Sequence, residues 1–301
     1  MPLWIAATLA AALFQTWRTA LQQKLRGQLS INGAGVVRFL YGVPAGFVLL
    51  FGYMAVFGGT LSAPTGWFLL YCATGGLLQI LGTNLLIMAF GYRGFAVGTA
   101  YAKTEAVQSA VLALLLLNER ISALAWAGIG VCVCGTLYLS LAGKKLGAGE
   151  FLRATFQPAA LCGLAAGLFF SSTAICIKAA NTAIAGPDPV LRALETLVLT
   201  NFLQTLMQGG YLLWREPEQL RAVFATWRTS AQAGALSACG SACWFTGFAL
   251  APVAMVRAVG QVEILFTLAF GHFYLRERPN RSEIAGALTV VAGVVLVLLG
   301  R

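Results

Sequence analysis

Charge is the scarcest ingredient of this sequence. Only 10% of its 301 residues are Asp, Glu, Lys or Arg, 59% are hydrophobic, and the mean hydropathy is +0.80. A water-soluble domain carries about 25% charged residues. A soluble protein with one large core would need polar helix faces that are missing here, so that class is excluded. Histidine is almost absent as well: His272 is the only one. One histidine makes neither a metal site nor a triad, and it reads as an interface residue. There is no HExxH, no GxSxG and no phosphate-binding glycine loop, and no CxxC occurs among the seven cysteines. The usual zinc, redox and nucleophile–base sites are thereby removed. Cys239 and Cys243 lie one helical turn apart without His or acidic neighbours. Together with Cys72, Cys132, Cys134, Cys162 and Cys176 they read as buried, inert thiols. No metal and no cofactor is expected.

Acids are the rarer sign, 10 against 20 Lys plus Arg, for a net charge of +10. In a soluble chain that balance would suggest nucleic acid. Here most basic residues sit in short loops between apolar runs, without interleaved aromatics. Lipid headgroups, not nucleic acid, are their expected partners. The first 17 residues contain no positive charge, and no convincing cleavage site follows. A retained first transmembrane helix is therefore expected in place of a signal peptide.

What the chain has in abundance is long apolar runs. A helix crossing a ~30 Å hydrocarbon core needs roughly 20 apolar residues. Ten such spans are predicted: 3–21, 33–57, 66–90, 95–117 and 123–141, then 158–180, 190–214, 230–250, 253–275 and 283–299. The breaks carry turn chemistry or charge, such as Gly58-Gly59, Asn118-Glu119-Arg120 and Gly186-Pro187-Asp188-Pro189. Barrel strands would alternate apolar and polar residues, and these runs do not.

The sequence also repeats itself. A displacement of 158 positions brings Gly82 onto Gly240, Glu105 onto Glu263, Glu119-Arg120 onto Glu277-Arg278, Gly128 onto Gly286 and Gly135 onto Gly293. A displacement of 154 pairs Arg38 with Arg192. Acids are so scarce that two of them meeting acids in register outweighs any coincidence of Ala or Leu. The expected organisation is a first five-helix repeat over 1–142, a connector over 143–157 and a second five-helix repeat over 158–301. An odd number of spans per half starts the second half on the opposite membrane face, which makes an inverted repeat. The fold class is therefore all-α: a polytopic membrane protein of ten transmembrane helices, two inverted five-helix repeats around a central cavity.

The fourth span with its exit, AVGTAYAKTEAVQSAVLALLLLNERIS, and its counterpart PVAMVRAVGQVEILFTLAFGHFYLRERP are each followed by a glycine-punctuated last helix. In these features and in its duplicated layout, the chain resembles the drug/metabolite transporter superfamily, in its EamA-like branch. The resemblance covers essentially the whole chain. It implies alternating access around a central cavity and efflux of small metabolites, often amino acids.

Charges inside spans cost several kcal/mol and are usually retained for a purpose. Glu105 and Glu263 fall near the middle of the fourth and ninth spans. A carboxyl group in a low-dielectric cavity exchanges protons near neutral pH, so these two are candidates for proton coupling or substrate binding. The bland reading is that each only ties its helix to a neighbour. Lys103 shares the site, with Gln261 as its repeat equivalent, so the site is asymmetric, as suits a substrate with distinct ends. Arg18, Arg38 and Arg192 are weaker candidates, with snorkelling to the interface as their rival role. Glu195 follows Arg192 at i+3, in reach of pairing with it. Lys178 is a similar case, and Arg257 reads as reaching the headgroups. Trp17, Tyr101 and Trp244 are candidates for stacking on a ligand, against lipid contact or packing. The glycines at 128, 135, 286 and 293 suit close packing inside the bundle or a homodimer contact.

Lys and Arg concentrate in the loops after odd-numbered spans, which places those loops in the cytoplasm and both termini outside; many relatives are drawn with both termini inside. The function expected is secondary active transport of a small polar metabolite such as an amino acid, a proton-coupled export in a bacterial inner membrane. An uncoupled facilitator or channel is the alternative. A membrane-embedded enzyme acting on lipid-linked substrates is a distant one, because no catalytic grouping supports it.

Overall fold

The structure, a computed structural model, describes residues 1–25, 27–91, 101–141, 156–274 and 281–300. Every regular element among them is a helix. In chain order these are α1 (Leu3–Leu25), α2 (Ile31–Leu40), α3 (Gly42–Phe57), α4 (Gly66–Gly91), α5 (Glu105–Leu117) and α6 (Ala123–Leu141). After residue 156 come α7 (Pro158–Ala183), α8 (Pro189–Arg215), α9 (Pro217–Ala225), α10 (Trp227–Leu250), α11 (Val253–Gly260), α12 (Glu263–Tyr274) and α13 (Arg281–Leu299). Among the described residues, five helical stretches are long and apolar enough to cross a membrane: Ile31–Phe57, Gly66–Ala89, Pro158–Ala183, Trp227–Leu250 and Ser282–Leu299. The expected start of the fourth span, the connector over 143–155 and the turn at 276–279 lie outside the described residues, as does the side chain of His272.

Three expectations of continuity are corrected. The second span is two helices meeting at Tyr41, the fourth is interrupted at Lys103 and Thr104, and the ninth at Gln261 and Val262. After the break expected at Arg215 comes the short helix α9. Interruptions inside spans would be costly in hydrocarbon without partners for the freed backbone groups. At the ninth span, tight turns take up part of that load: Ile264 N–H donates to Gln261 O at 3.1 Å and Leu265 N–H to Val262 O at 2.9 Å.

The chain divides into two compact units, Met1–Ile80 with Thr173–Ala251, and Leu81–Ser172 with Pro252–Arg301. Each draws on both halves of the sequence. In the first unit, α1 packs along α10, and α8 packs against α2, α3 and α10. Gly-Pro-Asp-Pro starts α8 in the way its chemistry dictates. Asp188 caps the helix, its Oδ1 accepting from Val190 N–H at 2.8 Å, while Pro189 occupies a first-turn position that needs no donor. Tyr53 O–H donates to the other carboxylate oxygen at 2.7 Å. Asp188→Ala is expected to cost about 1 kcal/mol, read as a lower melting temperature of the purified protein in detergent. Tyr53→Phe keeps the cap and should cost less.

Along α8 the buried residues Thr196, Thr200, Gln204 and Gln208 recur every fourth position, a polar stripe inside an apolar unit. Buried polar groups persist where they find partners. Gln204 Nε2 donates to Gly76 O at 3.1 Å and to Gln79 Oε1 at 2.8 Å, and Thr196 O–H donates to Asn181 at 2.7 Å. Glu195 does not pair with Arg192 as expected. Its carboxylate instead accepts Ser62 N–H at 2.7 Å, which ties down the connection between α3 and α4.

In the second unit, α6 and α13 form the closest helix pair. A Cβ built on Gly128 would lie 2.8 Å from Gly293 O, and one built on Gly293 would lie 2.6 Å from Cys132 N. Only residues without a side chain let the two backbones come this close. Gly128 meets Val297, whereas Gly135 meets Thr289, so the two helices run antiparallel. The displacement of 158 turns the contact of Gly128 with Val297 into that of Gly286 with Leu139, which is also present. These glycines are thus engaged in close packing inside the chain, the first of the two roles the sequence allowed them. The thiols also differ from expectation. Cys72 and Cys132 are buried, Cys134 is exposed and the other four are partly exposed.

Candidate functional site

Two helix breaks create the candidate site, and both lie in the second unit. Residues 101–102 are helical, 103–104 form a turn, and α5 begins at Glu105. Likewise α11 ends at Gly260, 261–262 form a turn, and α12 begins at Glu263. The two turns are 158 positions apart, the same displacement as the sequence repeat. Each glutamate is therefore the first residue of a helix, the end that attracts negative charge. Thr104 helps to make the first turn, its hydroxyl donating to Tyr101 O at 2.6 Å. Gly167 of α7 allows close contact there, since a Cβ on it would sit 3.0 Å from Ala102 O.

The charged side chains at the breaks are paired across helices. Lys103 Nζ lies 2.6 Å from Glu263 Oε2, and Arg257 Nη1 lies 3.5 Å from Glu105 Oε1. Arg257 also donates to Phe170 O at 3.1 Å. Gln261 links the two breaks: its Nε2 donates to Lys103 O at 3.4 Å, and its Oε1 accepts from Thr136 O–H at 3.3 Å. Ser171 O–H donates to Glu105 O at 2.9 Å and thereby ties α7 to the start of α5. Two acids and two bases sum to zero charge, which lowers the cost of holding them away from water. The four side chains are between 11 and 18% exposed. They are largely, but not fully, buried.

Of the residues singled out from sequence, Lys103, Glu105, Gln261 and Glu263 are brought together. Tyr101 belongs to the same unit but is buried against Ala160 and Leu164. The others lie in the first unit. Arg38 is buried, with its Nε donating to Ser237 at 3.3 Å and its guanidinium over the Phe39 ring. It does not snorkel. Trp244 stacks on Phe248 and donates its ring N–H to Gln15 at 3.1 Å. Trp17 is exposed, while Arg18 and Arg192 are half-buried. Lys178, expected near an interface, donates to Ala251 O at 2.9 Å, the carbonyl just after α10.

Sequence reasoning missed Arg257, assigned to the headgroups but turned inward to Glu105. The charge count held a usable signal, because two acids and Lys103 inside neighbouring spans leave one negative charge unmatched. Thr136, Ser171 and Gly167 gave no signal, since such residues abound in any membrane helix. Among the described residues no grouping of His, Cys, Asp and Glu could hold a metal ion.

No curated protein matches this chain. One solved crystal structure superposes on it with a TM-score of 0.70, at 18% identity, over 98% of each chain. A likeness at that identity speaks to the fold alone. Residues 157–299 match the EamA-like transporter family. Apolar helices long enough to span a bilayer and this match lead to one conclusion: the chain is an integral membrane protein whose second half, residues 157–299, resembles the EamA-like transporter family.

Proposed function

We propose that this protein is a secondary transporter that exports a small polar metabolite, an amino acid or a derivative, by alternating access in exchange for protons, in a bacterial inner membrane. The observation that carries the reading is the neutral network at the two helix breaks, Lys103 with Glu263 and Arg257 with Glu105. Interrupted helices whose ends meet charged side chains are where transporters bind substrate and coupling ions. Two halves of opposite orientation accord with the antiparallel packing of α6 on α13 and with contacts that map onto one another under the repeat displacement. A substrate carboxylate would compete with the glutamates for Lys103 and Arg257, and a substrate ammonium would compete with the cations for Glu105 and Glu263. Protonation of either glutamate releases its cation and thereby changes what the site accepts.

The substrate is found first, by screening amino acids, organic acids, nucleosides and amines for a rise in melting temperature, because a ligand of the native state stabilises it. The compound is then followed in proteoliposomes under an imposed pH step. Accumulation against its gradient is expected for the native protein. Glu105→Gln should abolish that accumulation while the protein still folds, at a melting temperature lowered by the loss of the charge partner of Arg257. Full pH-driven accumulation by Glu105→Gln rejects the coupling role. Equilibration without accumulation by the native protein identifies an uncoupled facilitator, and a chemically altered product identifies an enzyme.

A further inference from the structure

The first unit contains a hollow of about 790 Å³ that the charged network does not use. Small residues make its floor: Ala7 and Ala10 of α1, Gly52 of α3 and Ala242 of α10. Val48 and Phe57 form its rim and are 72% and 71% exposed, so the hollow is continuous with the face the protein presents to lipid. We propose that it seats one acyl chain of a membrane phospholipid.

Three observations select that occupant. The first is chemistry: a solute pocket carries a few polar groups that orient its ligand, and this wall is almost wholly apolar. Its Tyr53 hydroxyl is already committed to Asp188 at 2.7 Å. The second is position. Leu3 at the start of α1, Phe57 at the end of α3 and Val190 at the start of α8 all border the hollow, so its mouth lies where helices meet the bilayer interface. The third is length. From Phe57 to Val48 the wall follows α3 for about 14 Å at 1.5 Å per residue, close to the ~15 Å that half a ~30 Å core allows one leaflet's chains. A hydrocarbon chain there regains the contacts that an empty apolar void forfeits.

The test uses the intact protein in vesicles of phosphatidylethanolamine and phosphatidylglycerol, doped with a phospholipid that carries a photoactivatable diazirine on one acyl chain. Adducts are mapped by mass spectrometry. Labelling of the floor at Ala7, Ala10 and Ala242 is expected, beside labelling of outward residues such as Leu213. Gly52→Leu fills the hollow, and a Cβ at that position meets no atom within 4 Å, so the variant should fold. It should reduce floor labelling at least five-fold and leave Leu213 unchanged. Adducts confined to outward residues, floor labelling indifferent to Gly52→Leu, or a second copy of the chain cross-linked across Val48 with the floor unlabelled would each overturn the proposal.

Discussion

Glu263→Ala is expected to lower the stability of the folded protein by about 3–5 kcal/mol, the usual cost of leaving a buried charge without its partner. The stranded group is Lys103, whose ammonium lies 2.6 Å from the lost carboxylate and is 18% exposed. Lys103→Ala should cost a similar amount by stranding Glu263. The double variant Lys103→Met, Glu263→Leu removes both charges and keeps most of the volume. It should recover most of the loss, because apolar replacement of a whole buried pair is often neutral or better. Melting temperatures of the four proteins in one detergent give the cycle. The double variant also separates structure from function. A pair that only holds helices together predicts a stable, fully coupled transporter, whereas a pair that carries protons or substrate predicts a stable and inactive one.

The second large effect belongs to the α6–α13 interface. Gly293→Leu places a Cβ 2.6 Å from Cys132 N and 2.8 Å from Gly128 O, both backbone atoms that no side-chain rotation can move aside. The helices must separate, at a cost of about 3 kcal/mol or more, at or beyond the top of the range for overpacking. The expected result is a large fall in melting temperature and in the yield of monodisperse protein. Gly130→Leu on the partner helix α6 is the matched control. A Cβ there meets nothing within 4 Å, and leucine has the higher helix propensity. That variant should be unchanged or slightly more stable. Equal damage from both substitutions would mean that the close contact is not what makes Gly293 matter.

Much of this was legible before any coordinates. The apolar stretch of the third span was expected at 66–90 and is a helix over Gly66–Gly91; that of the tenth was expected at 283–299 and is a helix over Arg281–Leu299. The pairing of Glu105 with Glu263 under one displacement pointed to the two places where helices break. The breaks themselves were not legible. Neither Lys103-Thr104 nor Gln261-Val262 contains a proline or glycine to announce a turn. The partner of Arg257 was also hidden, because a cation near the beginning of a span serves a headgroup or a buried acid equally well until the rotation of its helix is known. The same holds for Glu195, whose nearest sequence neighbour of opposite charge is not the group it binds.

Composition, run length and repeat spacing are properties of the chain read along itself, so the amino-acid order alone determined the bilayer as solvent, the course of the apolar helices and the two positions where scarce acids recur. Which charge meets which, whether a glycine faces a neighbouring helix or open space, and where small residues leave a hollow depend on helix rotation and approach. Those are set by contacts between residues more than a hundred positions apart, such as Lys103 with Glu263 and Gly128 with Val297. Only the tertiary structure decided them.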